Sequence, residues 1–242
     1  MVLIILTALW LNATAGITLD RSRADLSIVG EALRRGESFP VPDITAMINK
    51  TQHLMASPLC IPRDTGYITL LHNAQVQAAF ANNEEEAADG HLAQAEAAAR
   101  RTLACNPSSQ LAWFTLAWAD FLRKDYSASV QSLLRMSEQV APLEGWSVIH
   151  RVKLMLMMLP QTDATDRARL RSQIQTILAA QGYHFLAATY IDSDEEQQKF
   201  LRTVFAEAEE RDQKWLTSLI RTLGGDIDLP HARPLGSRPW ER

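Results

Sequence analysis

Between Ala93 and Pro142 the chain reads AQAEAAARRTLACNP and then SSQLAWFTLAWADFLRKDYSASVQSLLRMSEQVAP. The first part is rich in strong helix formers, and Asn106-Pro107 must end it, because proline lacks the amide donor a helix needs. Ser108 or Ser109 then caps the next helix, which carries Trp113, Leu116 and Ala117 and breaks near Lys124-Asp125. A third helix follows with Val130, Leu133, Leu134 and Met136, up to Ala141-Pro142. The stretch therefore reads as three helices in series.

The rest of the chain agrees with that start. Windows alternating apolar and polar residues are few, β-branched residues are thinly spread, and Ala, Leu, Gln, Glu and Arg abound, so the expectation is an all-α protein of about nine or ten helices. With 242 residues, 47% of them apolar, the chain has material for one large or two small domains. A net charge of −4, with basic residues scattered among acidic ones, argues against a nucleic-acid surface.

Residues 1–18 carry no charge, and Met1 to Leu11 is nearly continuous apolar sequence followed by Ala13-Thr14-Ala15. That pattern predicts a signal peptide cleaved before Gly16 or an uncleaved membrane anchor, although no Lys or Arg precedes the apolar run. A buried first helix of a cytosolic adaptor is the alternative. Residues 19–224 are expected to form one helical domain, and residues 225–242, with Pro230, Pro234, Pro239, Arg233, Arg238 and Arg242, a flexible tail in which Trp240 could dock on the body or a partner.

Within that domain, helices are expected from Leu19 to Arg35 with a stop at Gly36, from an Asp43 cap through Met55, and from an Asp64-Thr65 cap to Ala81. Leu154 to Leu159 is apolar around its whole circumference, which predicts a buried helix too short to span a membrane. A cap at Asp163 or Thr165 starts the next helix, and Tyr183 to Ile191 forms a short one. Ser193-Asp194-Glu195-Glu196 fits the S-x-x-E capping box, opening a continuous helix to about Leu223 that buries Trp215.

Chemistry is hard to find. No glycine stands in a phosphate-loop or dinucleotide motif, and there is no H-E-x-x-H, G-x-S-x-G or C-x-x-C. The acidic run Glu84-Glu85-Glu86 with Asp89 lacks converging ligands and reads as a helix start; Asp192 to Glu196 lacks the glycine of a calcium loop. The histidines His53, His72, His91, His150, His184 and His231 are spread over different elements. No catalytic residue, metal site or cofactor is expected. Cys60 and Cys105 form a disulfide if the chain is exported; otherwise they are two separate thiols.

Counting from Gln110 as position one, Trp113, Leu116, Ala117 and Tyr126 occupy positions 4, 7, 8 and 17, and Pro107 and Pro142 lie 35 residues apart. In these places the stretch resembles the tetratricopeptide repeat, a helix hairpin of about 34 residues. The Ala-rich helix before Pro107 is similar to the second helix of a preceding repeat. Asp120 and Ser129 depart from the pattern, standing where an aromatic residue and an alanine are usual, and Ser147 breaks it after Pro142. The resemblance implies antiparallel hairpins and a non-enzymatic scaffold that binds a protein or peptide. Its groove positions fall on Leu111, Phe114, Trp118 and Phe121, all apolar, unlike the carboxylate-clamping members of the family. The alternative placement packs these four side chains on flanking helices. The run W-F-T-L-A-W with A-P-L-E-G-W-S-V-I-H-R is faintly similar to accessory proteins of bacterial polysaccharide assembly. The expected setting is therefore the bacterial envelope, periplasmic or membrane-anchored. A helical enzyme or lipid-binding module whose site assembles from scattered residues is the competing class.

Overall fold

The structure, a computed structural model, describes residues 21–124 and 126–231. The expected leader or anchor, its cleavage site and Trp240 lie outside the described residues. Among the described residues there are eleven α-helices, one short 3-10 turn and no strand: α1 (residues 21–34), α2 (Val41–Ala56), α3 (Pro62–Ala81), α4 (Glu85–Cys105), α5 (Gln110–Lys124), α6 (Ala128–Val140), α7 (Gly145–Met157), α8 (Ala164–Ala179), α9 (Tyr183–Asp192), α10 (Glu195–Ala206) and α11 (Glu210–Thr222). Packing is mainly between consecutive helices, as in a series of antiparallel hairpins, and the chain divides into two compact units at Ala141/Pro142.

In the first unit α3 is the central helix. Ile68, Leu71, Val76 and Ala79 on it are buried, and so are Asp64, Thr65, Thr69, Asn73 and Gln75. Buried polar groups need partners. Thr69 Oγ1 lies 3.0 Å from Thr102 Oγ1 of α4, Asn73 Nδ2 donates to Thr115 Oγ1 of α5 at 2.8 Å, and Gln75 Nε2 donates to Thr45 Oγ1 of α2 at 3.0 Å. One helix is thus hydrogen-bonded to three neighbours. Against α1 the approach is closest at Gly30, where a Cβ would stand 2.3 Å from the Tyr67 ring.

Proline moves two expected helix starts. Pro42 and Pro62 occupy first-turn positions, where the missing amide costs nothing, so α2 is entered from Pro40 and α3 from Ile61. Asp43 and Asp64 therefore sit inside their helices rather than capping them; Asp64 is buried and paired with Arg23 at 3.0 Å. The Cys60–Cys105 disulfide is formed, with Cα atoms 5.5 Å apart, and ties the approach to α3 to the last residue of α4.

In the second unit Leu154, Met155, Leu156, Met158 and Leu159 are buried, while Met157 faces solvent. Among the described residues no helix is long and apolar enough to cross a membrane. Asp163 caps α8, its Oδ1 accepting the Asp166 amide at 2.8 Å. The capping box falls one residue later than expected, on Asp194 and Gln197. The helix expected to run to Leu223 is broken into α10 and α11. After α11 the chain is extended but docked as far as residue 231: Ile227 and Leu229 are buried, and Tyr190 Oη donates to the Asp226 carbonyl at 3.3 Å.

Candidate functional site

The repeat-like stretch forms α5 and α6, packed on each other, with α3 and α4 also packed on α5. Ser109 Oγ accepts the Ala112 amide at 3.4 Å, and Trp113 Nε1 donates to the Pro107 carbonyl at 2.8 Å, so the Asn-Pro-Ser-Ser turn is held from both ends. Ser127 caps α6 through the Val130 amide at 3.2 Å, and Ser137 Oγ donates to the Gln110 carbonyl at 3.0 Å, fastening α6 to the start of α5. Of the signature residues, Ala117 is fully buried, allowing close helix approach, while Trp113, Leu116 and Tyr126 are half-buried.

The four groove candidates do not share one environment. Leu111 and Phe114 are buried. Trp118 is half-buried and packs, with Leu122, against a cluster of Val76, Leu92, Ala95 and Ala119, and Phe121 is half-buried near the C-terminal end of α5. Accessible surface at these positions is therefore concentrated toward Trp118 and Phe121.

Asp120, one of the departures from the repeat pattern, is paired with Lys124 on its own helix. Burial raises the Asp120 carboxyl, but hydrogen bonds from Lys124 and Ser129, the Lys124 charge and Ser127 outweigh it and hold the group below the usual carboxylate range. Lys124 Nζ lies 2.6 Å from Asp120 Oδ1. A carboxylate paired within α5 thus stands where an aromatic residue is usual in the repeat.

Among the described residues no three His, Cys, Asp or Glu side chains converge as a metal site. One of the scattered histidines is strongly perturbed: burial chiefly, opposed by a hydrogen bond with Gln75 and reinforced by His91, pushes His72 down to about 4. In the second unit, burial and then the Lys153 charge push His150 down to about 4 as well, with its ring against Trp146 at a centroid distance of 4.3 Å.

A cleft of about 380 Å³ in the second unit was not foreseen in the sequence. Gln181, Tyr183, His184, Arg211, Trp215 and Leu219 line it. Trp215, expected to be buried, is 53% exposed, because α11 turns that position outward once the preceding helix is broken. No protein-family model matches the chain, and no curated protein or solved structure matches it significantly.

Proposed function

We propose that the chain is a non-enzymatic interaction protein of the bacterial cell envelope, built on tetratricopeptide-like hairpins, with polysaccharide assembly or export as its setting. The observation that carries this reading is the α5/α6 hairpin. It combines the repeat's signature residues, a fully buried Ala117 at the helix contact, and aromatic side chains left partly accessible at Trp118 and Phe121. The α3/α4 hairpin, stacked against it, takes the place of a preceding repeat.

The Cys60–Cys105 bridge supports the compartment, since disulfides persist where the milieu is oxidising. Affinity capture from native membranes, comparing the wild type with a folded Trp118→Ala variant, tests the interaction. Loss of specific partners in the variant is the expected result; an unchanged partner set would sink the proposal. A second reading, a helical module for a small ligand, draws on the cleft beside Trp215.

A further inference from the structure

The cleft in the second unit is assembled from side chains that hold one another. Asp212, 7% exposed, accepts on the same Oδ1 the Tyr183 hydroxyl at 2.8 Å and the Arg211 Nε–H at 3.2 Å. This fixes the inner edge of the Arg211 guanidinium and leaves its outer nitrogens on an exposed side chain. The Trp215 ring lies nearly parallel to Tyr183, 11° between planes and 6.4 Å between centroids, with much of its surface still open. Leu219, one turn further along α11, continues the apolar side of the same cleft.

The rim carries an independent sign. Gln181 has a φ of +59°, the left-handed region in which glycine is the usual residue at the end of a helix. Glycine is present one position later, at Gly182, where a Cβ would stand 2.5 Å from Ile177 Cγ2 and 3.2 Å from its carbonyl oxygen. The chain therefore keeps a long amide side chain on the cleft at a strained position, and such positions gather where a ligand is bound.

We propose that this cleft binds a carboxylate carried on an aromatic or apolar body, the carboxylate on the outer edge of Arg211 and the body against Trp215 and Leu219. A guanidinium has donors only, in a fork that matches a carboxylate. Asp212 is turned inward and holds the inner edge of Arg211, Glu209 adds a further negative charge near it, and Glu207 is paired with Arg171, so what Arg211 offers the cleft is the outer edge of its guanidinium. Gln181 and His184 add polar groups at the rim for the atoms next to the carboxylate. The volume is at the small end of ligand pockets and suits one ring with its acid group. The inference stands apart from the repeat-based reading, which concerns the other unit.

The test is an NMR titration of the full chain with N-acetylphenylalanine, its neutral amide and phenylacetate. It follows the Trp215 indole N–H, assigned with Trp215→Phe, and the Arg211 Nε–H. Saturable shifts of both signals by an acid, with the neutral amide at least tenfold weaker, are expected. Arg211→Lys, which keeps the charge and loses the fork, should weaken the acid at least tenfold with signal dispersion intact. Tighter binding of N-acetylphenylalanine than of phenylacetate assigns the ligand to a peptide C-terminus; the reverse order assigns it to a free acid. Equal binding of acid and amide, or no saturable shift at Trp215, would overturn the proposal on the wild-type protein alone.

Discussion

Gln213 is fully buried in the second unit and uses its side chain on three backbone groups. Its Nε2 donates to the Ala206 carbonyl at 3.1 Å and to the Ala208 carbonyl at 2.9 Å, and its Oε1 accepts the His231 amide at 3.1 Å. The first carbonyl is that of the last residue of α10 and the second lies in the turn to α11, so one amide both holds the helix break and anchors the segment after α11. Gln213→Leu keeps the size but orphans all three groups; a loss of about 2 kcal/mol in urea denaturation is expected, since each buried unsatisfied group costs about 1–3 kcal/mol. His72 makes stability depend on pH. Its folded value lies near 4 against 6.5 when unfolded, so below 6.5 the unfolded chain binds the proton and the folded chain does not. Stability is complete above pH 6.5 and falls toward pH 4 by up to about 1.4 kcal/mol per pH unit from this residue. Denaturation midpoints measured across that window should flatten in His72→Gln by the His72 share.

The departures from the repeat at Asp120 and Ser129 bear on how α5 meets α6. If Asp120 and Ser129 form one polar link, Asp120→Ala and Ser129→Ala each destabilise, and the double variant costs less than their sum by about 0.5–1 kcal/mol in a denaturation cycle. Additive costs would mean that the two residues act separately. Most elements were legible because punctuation marks them. Asn106-Pro107, Ser109, Asp163 and Gly36 stand at or beside real boundaries, each for a local reason of capping, missing donors or positive φ. The split between α10 and α11 was not legible. Ala206 to Glu210 consists of good helix formers without glycine or proline, and the break is set by Gln213 from within the fold. Trp215 was misplaced for the same reason, since its outward direction follows from that break. The cleft it lines was hidden with it: Gln181, Tyr183 and Arg211 meet only through the packing of α9 on α11, and no spacing in the sequence joins them.

At the scale of the molecule, the all-α class was readable from composition and periodicity, while the hairpin packing was expected from the repeat resemblance, and the fold does pack mainly between consecutive helices. The disulfide is the one long-range covalent constraint among the described residues, closing a separation of 45 residues within the first unit. Replacing both cysteines with serine should lower stability by roughly 3–4 kcal/mol in the chain-entropy account. The wild type should lose the same amount in reductant while the serine variant is unaffected. Whether the first unit is an interaction surface is tested most directly by placing a photo-crosslinking benzoylphenylalanine at Phe121 in living cells, with the same group at the exposed Gln139 of α6 as reference. The account predicts a discrete light-dependent adduct from position 121, recovered in the envelope fraction and absent from position 139. No adduct at 121, or the same adducts from both positions, would contradict it.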